Sequence, residues 1–71
     1  MTKKVLTVPD ISCEHCERAI KSALEPLEGV ESVNVDITEH QVLVEFDESL
    51  VGLARIEEIL LAEEYPVVAV S

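Results

Sequence analysis

Residues 30–46, VESVNVDITEHQVLVEF, decide the fold of this chain. Apolar and polar residues alternate on both sides of a short polar break, with the apolar positions at Val33, Val35, Ile37, Val42, Val44 and Phe46. Such alternation is typical of strands that bury one face. Residues 38–41 are polar and few enough to turn the chain back on itself. The stretch therefore predicts a β-hairpin.

On the N-terminal side of this hairpin, the apolar residues recur with the spacing of a helix. Apolar residues fall on one helical face, at Cys16, Ala19, Ile20, Ala23, Leu24 and Leu27. This spacing predicts an amphipathic helix that starts near Glu14 and is ended by Pro26 and Gly29. Before the helix, residues 4–8 predict a strand that Pro9 ends.

The C-terminal side of the hairpin repeats the pattern of helix and strand. Residues 51–63 carry apolar side chains at helical spacing, Tyr65 and Pro66 break that helix, and residues 67–70 predict a final apolar strand. The order βαββαβ is the ferredoxin-like arrangement of the α+β class, with two helices on one face of a four-stranded antiparallel sheet. A length of 71 residues, 48% of them hydrophobic, fits one domain with a packed core over residues 1–71.

The topology places three segments at one end of the molecule. If the first strand runs upward, the loop that follows it, the hairpin turn with His40, and Tyr65 all lie at the top. We expect His40 to be a solvated residue of a hairpin at the sheet edge. We expect Tyr65 to be a partly buried cap on the core whose hydroxyl reaches toward the loop.

Two cysteines, Cys13 and Cys16, flank Glu14 and His15 at the start of the first helix. The first N–H groups and the positive end of a helix stabilise thiolates. Thiolates are soft ligands that select copper(I), whereas zinc prefers four ligands in a tetrahedron. We therefore expect a solvent-facing dithiol that binds a soft metal ion, copper(I) first and zinc as the alternative.

Other roles remain open for the residues of this motif. Cys16 lies on the apolar helical face, so a packing role in the core is one alternative. A dithiol of this spacing also occurs in thiol-disulfide redox proteins, which are a different functional class. His15 is either an exposed loop histidine or a side chain that tunes the thiolates or reaches a metal across a dimer.

The net charge of the chain restricts the classes of partner that it can bind. Fifteen acidic residues against five basic ones give a formal net charge of −10. This charge disfavours nucleic acid and anionic membrane surfaces, and it favours solubility or steering toward a basic partner. No apolar run is long enough to span a bilayer and no signal peptide is evident, so we expect no membrane insertion and a cytoplasmic location, where thiols stay reduced.

The chain as a whole resembles the heavy-metal-associated domain, and within it the CopZ-like bacterial copper chaperones. The resemblance is carried by the segment VPDISCEHC at residues 8–16 and by Ala19, Ile20, Leu24, Gly29, Val30, Val33, Val35, Val42, Val44, Phe46, Asp47, Ile56 and Tyr65.

This resemblance implies a metal carrier and not an enzyme. It implies copper(I) held by Cys13 and Cys16 and passed by thiolate ligand exchange to the metal-binding domain of a copper-transporting P-type ATPase. A copper-sensing repressor is a second implied partner. The protein would be a monomer without metal, with a metal-bridged dimer as a further form.

Three positions depart from the family pattern. Asp10 and Ile11 stand where the family has Gly-Met, and Glu64 stands where it has a glycine before the tyrosine. Ile11 keeps an apolar plug under the loop. Asp10 adds a hard oxygen ligand, which makes a site for zinc, cadmium or mercury in the same fold the alternative. Ser12 occupies the position at which zinc-transporting relatives carry an aspartate, and this favours copper.

Overall fold

Six elements follow one another along the chain in the predicted order. The computed structural model describes residues 2–12 and 14–71. The elements are β1 (Thr2–Thr7), α1 (Glu14–Leu24), β2 (Val30–Asp36), β3 (Gln41–Phe46), α2 (Leu53–Ala62) and β4 (Ala69–Val70). The predicted order βαββαβ and the two helices are confirmed. In the described part of the chain, neither helix has the length and apolar character needed to cross a bilayer.

The sheet is antiparallel throughout, with the strands in the order β2-β3-β1-β4. β3 pairs with β1 from Thr2↔Phe46 to Thr7↔Gln41, and with β2 from Val30↔Phe46 to Asp36↔Gln41. The predicted hairpin is therefore confirmed. Its expected position at the sheet edge is right for β2 and wrong for β3, which lies between β2 and β1.

The final strand is shorter than predicted. The pairing of β4 with β1 covers only Ala69 and Val70, although the backbone also bonds from Val68 N to Thr7 O at 2.9 Å and from Ser71 N to Val5 O at 2.8 Å. Residues 68–71 are all exposed. The register of β4 with β1 would place Val67 opposite Pro9, where β1 has already ended, so the ladder cannot extend in this direction.

The core lies between the helices and the inward face of the sheet. The fully buried side chains are Leu6, Val8, Ile11, Ile20, Leu24, Val42, Val44, Phe46, Ile56 and Leu60. The two periods in the sequence explain this set, because alternate strand residues share a face and helix residues three or four apart share another. The loop after β1 contributes Val8 and Ile11, so this loop is anchored from below.

Candidate metal centre

The loop of residues 8–12 follows β1 and leads toward α1. The core holds this 8–12 loop in place at two residues. Val8 and Ile11 are fully buried, and Ile11 N donates a hydrogen bond to Val8 O at 3.2 Å. Asp10 and Ser12 are exposed. The expectation that Ile11 plugs the core under the loop is confirmed. The loop thus presents polar atoms above an apolar base.

Cys16 lies directly under this loop. Its Sγ is 3.8 Å from Ser12 Oγ, and it donates to Asp10 O at 3.9 Å. Its exposed fraction is only 8%, so the prediction of a solvent-facing thiol is wrong for Cys16. Ile20 and Leu24 lie one and two turns further along the same helical face, and their burial draws Cys16 inward.

The N-terminal turn of α1 sets the electrostatics at Cys16. Cys16 is the third residue of α1, where N–H groups without intrahelical partners and the helix dipole favour a thiolate. Glu14 and Glu17 also lie in this first turn. Their negative charges benefit from the same dipole and oppose a second negative charge on the sulfur.

The other half of the predicted dithiol, Cys13, lies outside the described residues. Among residues 2–12 and 14–71, no three His, Cys, Asp or Glu side chains come together as a metal-binding group. The described part of the centre is therefore one sulfur, that of Cys16, held against the 8–12 loop.

The two residues expected beside the dithiol take different positions. His15 is exposed on the first turn of α1. Tyr65 is half-buried and packs against the core, with its N–H donated to Leu60 O at 2.8 Å. The bond from Val68 to Thr7 brings the segment after Tyr65 to the end of β1 where the 8–12 loop begins. The predicted reach of the tyrosine hydroxyl toward the metal-binding loop stays a prediction.

His40 was missed as a residue of this centre. It lies in the β2–β3 turn, and its own O accepts a hydrogen bond from Val8 N at 2.8 Å. Its ring Nδ1 lies 2.7 Å from Ile11 O. The predicted shared end of hairpin and loop is confirmed, and His40 is exposed as expected, but its ring also contacts the loop backbone, which the sequence did not predict. Topology signalled the proximity, but no local pattern signals a ring contact to a residue 29 positions away.

Comparison with known proteins gives a consistent result over nearly the whole chain. The sequence model of the heavy-metal-associated domain matches residues 5–66. A protein of Staphylococcus haemolyticus (strain JCSC1435) named copper chaperone CopZ is 40% identical over 67 residues, which cover 94% of this chain and 98% of that protein.

Solved structures agree with the sequence comparison. A structure titled CopZ metallochaperone has a TM-score of 0.90 and 34% identity, covering 94% of this chain and 100% of the other. A copper binding domain from HMA7, a P-type ATPase, has a TM-score of 0.89 and 25% identity, covering 100% of this chain and 99% of the other. The matched sequence range contains the 8–12 loop, His40 and Tyr65.

Proposed function

Since the chain belongs to the heavy-metal-associated domain family, we propose that it is a cytoplasmic copper carrier. It binds copper(I) through Cys13 and Cys16 and passes the ion to a metal-binding domain of a copper-transporting P-type ATPase. The observation that carries the proposal is the placement of the Cys16 sulfur at the N-terminus of α1, under the 8–12 loop. The match to a copper chaperone at 40% identity supports copper over the alternative metals.

The proposed chemistry is ligand exchange at a cargo ion. Two thiolates suffice for copper(I), which accepts two soft ligands. A thiolate of the target binds the ion to give a three-coordinate intermediate, and the donor thiolates then leave in turn. Copper stays in the +1 state and each sulfur stays a thiolate, so no bond to carbon or phosphorus changes. The protein is then a carrier and not an enzyme.

The proposed partner is a domain of related fold. The ATPase domain that aligns with the whole chain is titled a copper binding domain, which supports exchange between two sites of similar construction. The net charge of −10 favours a partner with a basic surface around its site. A copper-sensing repressor is the second partner that we propose, and it would meet the same charge requirement.

A competition titration tests the proposal directly. The reduced protein is titrated with copper(I) against a chromophoric chelator. We expect uptake of one ion per chain, with loss of tight binding in Cys13→Ser and Cys16→Ser. Because Cys16 is buried, Cys16→Ala is measured as well, and circular dichroism verifies that each variant is folded. Ser12→Ala is the matched control, since it removes the hydroxyl beside Cys16 and keeps both thiols.

Two outcomes would contradict the proposal. Tighter binding of zinc than of copper(I) at equal free ion activity would assign the site to the alternative metal that Asp10 suggests. Catalytic turnover of disulfides that persists in the presence of a metal chelator would assign the chain to the redox class.

A further inference from the structure

We propose that His40 is a positioning residue for the metal site: the Nδ1–H group of its ring fixes the backbone of the 8–12 loop and slows release of copper(I). The effect on copper rests on the function proposed above. The effect on the loop itself does not, because it follows from hydrogen bonds within this chain.

His40 holds the loop at both of its buried anchor points. Its backbone O accepts from Val8 N at 2.8 Å, and its ring contacts Ile11 O at 2.7 Å. Val8 and Ile11 are also joined to each other, by the 3.2 Å bond from Ile11 N to Val8 O. A single residue of the β2–β3 turn thus contacts both ends of the tight turn that Val8 and Ile11 close within the 8–12 loop.

The contact with Ile11 transmits this restraint to the Cys16 sulfur. Ile11 lies between Asp10 and Ser12, and atoms of both neighbours lie within 3.9 Å of Cys16 Sγ. A shift of the Ile11 peptide group therefore moves these two polar contacts of the sulfur together. His40 acts on the metal site through the loop backbone and does not need to touch the metal.

The acceptor Ile11 O determines which nitrogen of the His40 imidazole carries a proton. A carbonyl oxygen can only accept, so Nδ1 must carry the proton. In the neutral ring this is the Nδ1–H tautomer, and Nε2 then holds the lone pair. In the imidazolium both nitrogens carry protons, so the bond to Ile11 O is retained in either charge state.

The backbone of His40 has an unfavourable conformation, and the ring contact offsets part of its cost. Its φ is +56°, in the left-handed region that favours glycine over a residue with a Cβ. A side chain at such a position is retained at a conformational cost. The ring bond to Ile11 is an interaction that glycine could not make, and it gives the histidine a role at this strained position.

The first test uses the apo protein. Long-range ¹⁵N correlation spectra of the full chain report the tautomer of each histidine, and His15, which is exposed, serves as the internal reference. We expect His40 to be the Nδ1–H tautomer. In His40→Gly, which relieves the backbone strain but lacks the ring, we expect hydrogen exchange at the Ile11 amide to be about three- to tenfold faster.

Two further variants separate the ring from the turn. His40→Asn keeps a residue that tolerates the left-handed conformation but replaces the ring, and it should behave like His40→Gly. Thr38→Ala changes the same turn and leaves His40 in place, so its Ile11 exchange should match that of the parent protein. An Nε2–H tautomer at His40, or parental Ile11 exchange in His40→Gly, would overturn the proposal.

The second test measures copper. Stopped-flow transfer of copper(I) to a chelator should be about three- to tenfold faster from His40→Gly than from the parent, with one ion still bound per chain. Equal release rates would remove the positioning role. If the parent binds no copper(I) through its cysteines, the proposed function fails, whereas the tautomer and the Ile11 exchange still decide whether His40 fastens the loop.

Discussion

At the scale of single residues, Gly29 is the position at which a methyl group would do most damage. It links α1 to β2 at a φ of +99°, and a Cβ built on it would lie 2.8 Å from Leu50 Cβ and 2.9 Å from Val51 Cγ1. Both distances are shorter than a Cβ contact tolerates. Gly29 is therefore required both by its backbone conformation and by the close approach of the segment before α2.

We expect Gly29→Ala to lower the free energy of unfolding by about 2–4 kcal/mol, since left-handed strain and overpacking act together. Urea unfolding followed by circular dichroism measures the change. Gly52→Ala is the matched control, because a Cβ there meets nothing within 4 Å, and its cost as a helix N-cap should stay below about 1 kcal/mol. Equal losses in the two variants would refute this account of Gly29.

At the scale of elements, α2 ends in a Schellman motif whose left-handed position is occupied by a glutamate. Tyr65 N bonds to Leu60 O at 2.8 Å and Glu64 N to Leu61 O at 3.0 Å, the pair of bonds that defines a Schellman motif. Its left-handed position, usually glycine, is occupied by Glu64 at a φ of +69°. The turn that leads into Tyr65 thus forms in spite of the departure from the family pattern.

Replacing this residue should stabilise the protein. We expect Glu64→Gly to raise the free energy of unfolding by about 0.5–1 kcal/mol, because it relieves left-handed strain and removes a negative charge from the negative end of the helix. Thermal unfolding measures the gain. Glu63→Gly removes the adjacent charge at a φ of −88°, where no strain is relieved, and the added conformational entropy of glycine opposes the charge effect, so its gain should be clearly smaller. An equal gain in Glu63→Gly would show that charge, and not the relief of strain, is responsible.

The elements also show which features a sequence can reveal. The hairpin and both helices were predictable because period two and period 3.6 each repeat over a whole element. The length of β4 was not, because residues 67–70 are uniformly apolar and their pairing is limited by where β1 ends. An apolar run shows only that a segment can be buried, whereas the length of an edge strand also depends on where its partner strand ends.

The candidate metal centre also combines a feature that the sequence indicated with one that it could not show. The spacing of Cys16, Ile20 and Leu24 already indicated a buried thiol, but the spacing of the two cysteines favoured an exposed pair, and the helical period prevailed at Cys16. The contact of His40 with Ile11 was beyond sequence reasoning. It depends on the left-handed backbone of a turn and on a reach of 29 residues along the chain.

At the scale of the whole molecule, the chain carries a large excess of negative charge. The net charge is −10 on 71 residues. Two ion pairs join basic and acidic side chains of the described residues, Lys3–Glu45 at 3.4 Å and Arg55–Glu58 at 2.9 Å. All four side chains are at least a third exposed, so these pairs contribute little to stability. The fold therefore forms against the mutual repulsion of its surface carboxylates.

Screening of this repulsion should stabilise the fold. Between about 10 mM and 300 mM NaCl the Debye length falls from about 30 Å to about 6 Å. We expect the Tm to rise by about 4–8 °C, the shift that about 1 kcal/mol produces in a domain of this size. Glu31 and Glu48 are both exposed, and changing both to lysine alters the charge by four, from −10 to −6. The salt-induced rise should be clearly smaller in this double variant, whereas a rise of equal size in both proteins would mean that salt acts through hydration and not through charge.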